Sequence, residues 1–276
     1  MPELPEVELV AQSLDKLVSG RRILAAELLR QRLAPETPAA DFAKKLNDSQ
    51  INFVNRRGKH ILFDLSNGKT LIAHLRMSGR FMLLPFEREL PKYTHAVLYF
   101  TDETRLIFQD QRHFGLMKIV ETEKLNEAKE IKKLAPEPFS EEFNPKYFRA
   151  ILKTSKRSLK EFLLDQTKVC GLGNIYASEA MFLAHVNPQI SADKVSARKA
   201  DILYEKICEV LRESIAHGST LNANPENIDA SYYGGGFENR WRVYAQENSP
   251  CTDCRTDIKR LKQGGRSTYF CPKCQK

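Results

Sequence analysis

The sequence lacks any apolar run close to the ~20 residues that a membrane-spanning helix needs. It also lacks internal repeats, low-complexity tracts and a charged-then-apolar leader with a cleavage site. These absences argue against membrane and exported classes of protein. We therefore expect a globular protein of the cytoplasm, with no membrane partner.

Cysteine is scarce outside the C-terminal end. Two of the six cysteines, Cys170 and Cys208, stand apart, and we expect both to be reduced, ordinary small residues. The other four form two Cys-x2-Cys pairs separated by 16 residues, which fits tetrahedral binding of one zinc ion. Four sulfurs leave no position for water, so the zinc would be structural. The alternative is two disulfides, which a reducing compartment disfavours. The predicted ligands are Cys251, Cys254, Cys271 and Cys274.

The composition is basic. The chain has 276 residues, 42% of them hydrophobic, and a net charge of +8. Such a chain can fill roughly two domains and bury a substantial core. The charge suggests a polyanionic partner, most simply nucleic acid, and a basic surface kept for solubility is the alternative. Cations also crowd between the two cysteine pairs, where a hairpin would form a basic finger suited to phosphates.

Periodicity divides the chain. Apolar residues at helical spacing predict a helix over residues 3–19. Residues 22–120 follow a strand pattern with turn signals such as Asn67-Gly68, which predicts antiparallel sheets packed as a sandwich. Helices are predicted again afterwards, at 122–134, 145–154, 158–165, 173–184 and 194–216.

These patterns predict a multidomain α+β chain. We expect an N-terminal β-sandwich flanked by helices, a helical domain and a C-terminal zinc-finger β-hairpin. The corresponding ranges are 1–134 for the sandwich, 135–145 for a linker, 146–220 for the helical domain, 221–246 for a candidate loop over the site and 247–276 for the finger.

Two loops of the sheet region each place a cation beside a large apolar side chain. They are residues 76–80, which include Met77, and residues 110–115, which include Arg112 and Phe114. An apolar wedge can fill the gap left by an extruded base, while an arginine bonds the base left unpaired. The alternative interpretation is that Met77 and Phe114 are core residues.

A glycine-rich segment, residues 170–177, lies between two predicted helices. Its glycines permit a tight turn and expose backbone N–H groups at the next helix start, where a phosphate can bind beside Asn174. An ordinary turn between helices explains the segment about as well.

The first six residues, Met-Pro-Glu-Leu-Pro-Glu, carry a chemical signal. If Met1 is removed, Pro2 bears the α-amino group, with the carboxylates of Glu3 and Glu6 within one turn. An α-amine has a reference pKa of about 7.7–8.0, against about 10.4 for lysine, so part of it is free base at pH 7. Such an amine can form a Schiff base, although nearby carboxylates would raise its pKa. The alternative is that both prolines merely start a helix.

Together these motifs resemble bacterial formamidopyrimidine-DNA glycosylases over the whole chain. The resemblance implies a β-sandwich domain, a helix–two-turn–helix domain and a zinc finger, with DNA in the cleft between. It implies removal of 8-oxoguanine and ring-opened purines from duplex DNA, followed by β,δ-elimination at the abasic site. The matching segments are residues 1–6, 74–79, 112–115, 171–179 and the four C-terminal cysteines.

The resemblance also implies individual roles. Pro2 is implied as the nucleophile, Glu3 as its acid/base partner and Lys59 as a catalytic lysine. The insertion of Met77, Arg112 and Phe114 into the duplex is implied as well. The remaining implied DNA-site residues are Glu6, His95, Lys160, Asn174 and Arg266.

The family resemblance further implies a monomer that acts on double-stranded DNA with an oxidised purine, opposite cytosine, in the bacterial nucleoid. The segment 222–242 departs from the family's lesion-capping loop, and Val243-Tyr244-Ala245-Gln246 replaces its usual Val-Tyr-Gly-Arg. Lesion preference is therefore the least determined property. One alternative is an endonuclease VIII-like glycosylase for oxidised pyrimidines. The other is a non-enzymatic zinc-ribbon protein that recognises distorted DNA.

Overall fold

The computed structural model describes residues 1–220, 222–224, 227–231 and 236–276, with side chains described outside 221–235. Backbone contacts divide the chain into two units. Unit 1 comprises residues 1–132 and 218–235, and unit 2 comprises residues 133–217 and 236–276. Within the part of the chain that is described, no helix is long and apolar enough to cross a membrane.

Unit 1 is built on two four-stranded antiparallel sheets. The first has the strand order β1-β6-β7-β5, and the second has the order β2-β3-β4-β8. Apolar side chains from both sheets share one core, which makes the pair a sandwich. The strands are β1 (Ile23–Leu28), β2 (Ile51–Arg57), β3 (His60–Leu65), β4 (Lys69–His74), β5 (Gly79–Pro85), β6 (Thr94–Phe100), β7 (Thr104–Asp110) and β8 (Leu116–Glu121).

Two helices flank the sandwich. Helix α1 (Leu4–Val18) buries the apolar stripe that its sequence spacing predicts, and helix α2 (Ala39–Leu46) buries Phe42 and Leu46. Pro5 lies in the first turn of α1, a position that suits proline, whereas Pro2 precedes the N-cap residue Glu3. A short strand pair, β9 (Asn222–Asn224) and β10 (Asn227–Ser231), completes the described backbone of unit 1.

Two chain crossings meet at one end of the sandwich. Residues 75–78 connect β4 to β5, and residues 111–115 connect β7 to β8. Since β4 pairs with β8 and β5 pairs with β7, both connections pass from one sheet to the other side by side. We call residues 75–78 and 111–115 the insertion loops.

Unit 2 begins with helices whose starts are marked in the sequence. Asn144, Ser158 and Ser196 each accept a hydrogen bond from a backbone N–H in the first turn of the helix that follows. The helices are α3 (Pro145–Leu152), α4 (Leu159–Leu163), α5 (Asn174–Leu183) and α6 (Ala197–Ala216). The hairpin of β11 (Lys259–Gln263) and β12 (Arg266–Phe270) follows.

The predicted fold class is confirmed in its sandwich, its helical region and its C-terminal hairpin. The predicted helix at 122–134 is wrong, because only Thr122–Glu127 is helical and its form is 3-10. Apolar residues recur there every third position, at Leu125, Ala128 and Ile131. That spacing matches a 3-10 turn, and the N–H groups of Ala128 and Ile131 bond three residues back.

Candidate active site and nucleic-acid interface

The start of α1 is a buried capping box. Glu3 is the N-cap residue, and its carboxylate accepts the backbone N–H of Glu6. The Glu6 carboxylate in turn accepts the backbone N–H of Glu3, at 2.8 Å. Pro2 is buried beside them, and the two glutamates are only 2% and 1% exposed. The residues expected to perform chemistry are therefore held by the backbone of the helix they begin.

Glu6 also joins α1 to the later part of unit 1. The hydroxyl of Thr220 donates to its second oxygen, at 3.0 Å. One carboxylate oxygen of Glu6 accepts a hydrogen bond from Glu3 and the other accepts one from Thr220, so Glu6 links the start of α1 to residue 220. Both oxygens are buried and hydrogen bonded, which gives Glu6 a structural role, and its expected contact with DNA stays a prediction. Thr220 carried no sequence signal, since it lies 214 residues away.

The α-amino group of the chain lies in a mixed electrostatic environment. This group belongs to Met1, and its pKa is below the ordinary value of 8.0, first because burial disfavours the charged form. Glu3 and Glu6 act to raise this pKa, while the positive charges of Lys59 and Arg112 act to lower it. The sequence indicated only the carboxylates, because burial and the approach of Lys59 are tertiary effects. The Met1 amine is thus more readily neutral than an ordinary α-amine.

Lys59 lies in the turn between β2 and β3 and is only 5% exposed. The structure therefore brings Lys59 to the amino terminus, although 56 residues separate it from Glu3. We call Pro2, Glu3, Glu6 and Lys59 the amino-terminal cluster.

The insertion loops display large apolar side chains to solvent. Met77 is 40% exposed and Phe114 is 44% exposed, so the interpretation of both as core residues is wrong. Arg76 and His113 adopt left-handed backbone conformations, with φ of 55° and 59°. Such conformations are uncommon outside glycine and persist where surrounding structure enforces them.

Arg112 lies against the ring of Phe114, with its guanidinium carbon 5.3 Å from the ring centroid. Arg32, in a 3-10 turn, approaches the same ring at 6.0 Å. Cations over an aromatic face are attracted by its negative charge density, so both arginines favour a defined orientation of Phe114. Arg32 was not singled out by the sequence, since a lone arginine in a turn carries no pattern.

His95 is buried and supports an insertion loop. Its Nε2 lies 3.0 Å from Nδ1 of His113, and the two rings stack with centroids 5.0 Å apart. Burial is the main reason why the pKa of His95 is below its usual range. His95 is only 3% exposed and supports the loop through His113, and its expected DNA contact stays a prediction.

In unit 2, Lys160 lies behind the glycine-rich segment. It is 1% exposed and donates to the carbonyl oxygen of Asn174, at 2.8 Å, and to the hydroxyl of Ser178, at 2.6 Å. It therefore fixes the first turn of α5 from inside, and its predicted contact with DNA stays a prediction. The sequence could not distinguish these roles, because a surface lysine and a buried one share the same local pattern.

Asn174 begins α5 after Gly173 and reaches the hairpin. Its Nδ2 donates to the carbonyl oxygen of Ser267 in β12, at 2.9 Å. An amide nitrogen carries two donors, so this bond leaves a second hydrogen for a phosphate oxygen. The exposed cations of the hairpin are Lys259, Arg260, Lys262 and Arg266.

The four C-terminal cysteines fit one zinc ion. Their sulfurs all lie within 4.8 Å of one another. The pair Cys251 and Cys274 is 3.9 Å apart, and the pair Cys254 and Cys271 is 3.5 Å apart. Tetrahedral zinc with Zn–S bonds of about 2.3 Å requires sulfurs about 3.8 Å apart, which these values bracket. The predicted structural zinc site is confirmed by this donor set.

Glu179 is a residue whose role the sequence did not indicate. It is fully buried on α5 and accepts the backbone N–H groups of Arg242, Val243 and Tyr244, at 2.9, 3.0 and 2.9 Å. Burial acts to raise the pKa of Glu179, and these three donors act against that rise. Glu179 thereby ties the segment that precedes the zinc site to the helix that Asn174 begins.

Three family models match successive parts of the chain. The N-terminal domain of formamidopyrimidine-DNA glycosylase matches residues 1–117, and its H2TH domain matches residues 134–224. A zinc finger found in FPG and IleRS matches residues 248–276. The matches follow the order of the sandwich, the helices and the hairpin.

Known proteins are similar over the full length. Formamidopyrimidine-DNA glycosylase of Listeria innocua is 38% identical over 276 residues, covering 100% of both chains. The protein of the same name from Bacillus licheniformis is 39% identical over 280 residues, again with full coverage. A solved complex of Lactococcus lactis Fpg with abasic-site DNA is 33% identical, covers 99% of each chain and has a TM-score of 0.91. A complex of a mutant of that Lactococcus lactis protein with DNA containing Fapy-dG is 34% identical, with the same coverage and a TM-score of 0.92.

Proposed function

The chain belongs to the formamidopyrimidine-DNA glycosylase family of base-excision-repair enzymes, and we propose that it removes oxidised purines from duplex DNA and then cleaves the strand. Abasic-site lyase activity is typical of this family. The observation that carries the proposal is the amino-terminal cluster, in which Pro2, Glu3, Glu6 and Lys59 are all buried and the charges of Glu3, Glu6 and Lys59 act on the amino terminus of the chain.

We assign the chemistry to Pro2 and Glu3. After removal of Met1, the neutral Pro2 nitrogen attacks the sugar C1′ while the bond to the damaged base breaks. Glu3 gives a proton to the opening ring oxygen and then moves protons between the intermediates. The resulting iminium withdraws electrons from the neighbouring carbon, so the 3′ and then the 5′ phosphate leave by β- and δ-elimination. The charge of Lys59 lowers the pKa of the Met1 amine, and we expect it to favour the free base of the Pro2 amine in the same way.

Eversion of the base is assigned to the insertion loops. A base inside the stack cannot be reached, and extruding it costs a few kcal/mol. Met77 and Phe114 are exposed enough to fill the vacated space, and Arg112 is placed beside Phe114 to bond the unpaired base, which we expect to be cytosine. His95 supports this task through His113.

Unit 2 supplies phosphate contacts. Asn174 at the start of α5 and Arg266 in the hairpin are the proposed clamps. Lys160 acts through Asn174. Zinc bound by the four cysteines would hold the hairpin in shape and takes no part in the chemistry, since the donor set already fills a tetrahedral ion.

We propose a β-sandwich catalytic domain at 1–134, a linker at 135–145, a helix–two-turn–helix domain at 146–220 and a zinc finger at 247–276. The loop proposed at 221–246 falls in part outside the described residues. The enzyme acts on DNA and so works inside the cell, and we infer the cytoplasm, at the nucleoid, as its place. A monomer suffices for this assignment.

Cleavage of a lesion panel tests the proposed function. Duplexes with 8-oxoguanine, a formamidopyrimidine or thymine glycol opposite each normal base are incubated with excess enzyme, and single-turnover rates are compared. We expect the fastest cleavage for the two purine lesions opposite cytosine. The proposal would be contradicted if the enzyme cleaved none of the duplexes, or if it cleaved only a control duplex without a lesion.

An oxidised-pyrimidine glycosylase is a second candidate. One observation favours it, since a solved complex of Lactococcus lactis Fpg, 33% identical to this chain, is described as containing an oxidised pyrimidine in the DNA. The same panel separates the two candidates, because a pyrimidine-directed enzyme would cleave thymine glycol faster than 8-oxoguanine.

A further inference from the structure

The end of β7 lies beneath both insertion loops. Phe108 and Asp110 are two residues apart on this strand, so their side chains point to the same face. Phe108 is 1% exposed and Asp110 is 0% exposed. One strand thus presents an apolar and an acidic side chain, both buried, at the point where the chain crosses between the sheets.

Phe108 is enclosed by two glycines. A Cβ added to Gly79 would lie 2.6 Å from Cζ of Phe108, and one added to Gly115 would lie 2.6 Å from its Cε1. Real Cβ atoms essentially never come so close, so neither position accepts a side chain while the ring stays in place. Gly79 follows the first loop and Gly115 ends the second, and both loops therefore close on the same ring.

Asp110 binds both loops directly. One carboxylate oxygen accepts the hydroxyl of Ser78, from the first loop, and the backbone N–H of Arg112, at 3.1 Å. The other oxygen accepts the backbone N–H of Gly115, at 2.7 Å. The Ser78 oxygen itself accepts the N–H of Arg112, at 3.2 Å, which closes a ring of hydrogen bonds between the loops.

The charge on Asp110 is retained despite burial. Desolvation alone would raise the pKa of this carboxyl, but the hydrogen bonds from Ser78 and from the backbone of Gly115, Arg112 and Phe114 together hold it below its ordinary value. An ionised carboxylate forms stronger hydrogen bonds than a neutral acceptor does. In the first loop these bonds hold Ser78, which adjoins Met77 in the sequence. In the second loop they hold the backbone of Arg112, which only His113 separates from Phe114.

We propose that Asp110 is a positioning residue that joins the two insertion loops into one rigid wedge, so that base eversion depends on it while the chemistry at Pro2 does not. This inference rests on the proposed function. Met77 comes from one loop, and Arg112 and Phe114 come from the other. Two independent loops would each lose conformational entropy on entering the duplex, whereas a coupled pair is already ordered.

Asp110→Asn tests the inference, because the amide has the same shape but one of its two acceptors becomes a donor facing N–H and O–H groups. Asp102→Asn is the matched control. Asp102 lies in the turn before β7, at the opposite end of the strand, where it accepts hydrogen bonds from Thr104 and Arg21. Single-turnover rates are measured on two substrates: an 8-oxoguanine·cytosine duplex, which requires eversion, and a single-stranded oligonucleotide with a preformed abasic site, which does not.

We expect Asp110→Asn to slow excision from the duplex by about 10–100-fold, on the scale of misplacing a positioning group. Nicking of the single-stranded abasic site should stay within about twofold of wild type, since the amino-terminal cluster is intact. Fluorescence of 2-aminopurine next to the lesion should report a slower unstacking step. Asp102→Asn should change neither rate.

Ser78→Ala keeps the inference testable if Asp110→Asn fails to fold. It removes one donor to Asp110 and leaves the backbone donors, so a smaller loss, confined to the duplex substrate, is expected, and Ser78→Thr should restore the rate. Equal losses on both substrates, or no loss on the duplex, would overturn the role of Asp110. If wild-type protein cleaves neither substrate, the proposed function fails instead, and the inference fails with it.

Discussion

The amino-terminal cluster and the zinc-binding hairpin keep their functional groups in place by different physical means. In the cluster, Glu3 and Glu6 are buried and hydrogen bond to the backbone, so the groups assigned to chemistry are also part of the fold. In the hairpin, β11 is largely exposed, and the packed residues are chiefly the cysteines and their neighbours. There the fold depends on the thiolates, and the exposed cations contribute charge more than packing.

Mutations in these two regions should therefore affect different measurable quantities. A change in the amino-terminal cluster alters the position and the pKa of reacting groups, so it should alter rates. A change in the hairpin alters charge or metal binding, so it should alter affinity. The four changes below test this distinction between effects on rate and effects on affinity.

The largest effect is expected from Glu3→Gln. The amide can still accept the N–H of Glu6 and preserve the capping box, but it cannot donate and take back a proton. General acid–base catalysis contributes about 10²–10⁴-fold, so the single-turnover excision rate should fall by that factor. Affinity for lesion DNA should be unchanged. Glu8→Gln, on the same helix, is the control, and an unaltered rate for Glu3→Gln would remove Glu3 from the chemistry.

Removal of zinc is expected to act on binding. Without the metal, four thiol groups cannot hold the hairpin, and affinity for duplex DNA should fall by about 10²-fold, the scale of losing several phosphate contacts. Cys271→Ser, which removes one zinc ligand, should have the same effect. Cys208→Ser should not, because Cys208 is not one of the four zinc ligands. The affinity is measured by titrating metal-free protein, and each variant, with labelled duplex DNA. Full affinity in protein verified to be free of metal would show that the hairpin needs no zinc.

Arg266→Ala should produce a moderate and uniform loss. Affinity is expected to fall about tenfold on lesion and undamaged duplexes alike, and the slope of log K against log salt should decrease by about 1. The control is Arg198→Ala, which removes an exposed arginine from α6. An unchanged salt slope would mean that Arg266 contacts no phosphate.

The smallest effect is expected from Lys59→Ala, and it concerns pH. The charge of Lys59 lowers the pKa of the Met1 amine, and we expect its removal to raise the pKa of the Pro2 amine of the processed chain. Because the proposed nucleophile is the free base, the acidic limb of the pH–rate profile should move to higher pH. The shift should appear in single-turnover trapping rates between about pH 5 and 9. If the acidic limb of the pH–rate profile did not move, Lys59 would not act through the pKa of the amine.

The sequence predicted elements with strong local signals and missed contacts made across long separations. The sandwich, the helices of unit 2 and the zinc ligands all follow from the spacing of residues along the chain. The segment after residue 122 was misread because a repeat of three differs only slightly from a repeat of 3.6.

Local sequence signals selected the candidate site residues, but they did not indicate the long-range contacts that hold those residues in place. Glu6 with Thr220 and Glu179 with residues 242–244 are joined by hydrogen bonds across 63 to 214 positions, which no local pattern encodes. Burial decides the role of Lys160 in the same way. Asp110 stood in a recognised motif, but its function as an acceptor becomes visible only where two loops meet.

Borohydride trapping with peptide mapping tests the central claim most directly. Purified protein is incubated with 8-oxoguanine duplex and sodium borohydride, and the covalent adduct is digested and its mass measured. The account predicts one DNA-linked peptide, the amino-terminal one, beginning at Pro2 without Met1. An adduct on Lys59 or another internal lysine, or trapping by protein that retains Met1, would contradict it.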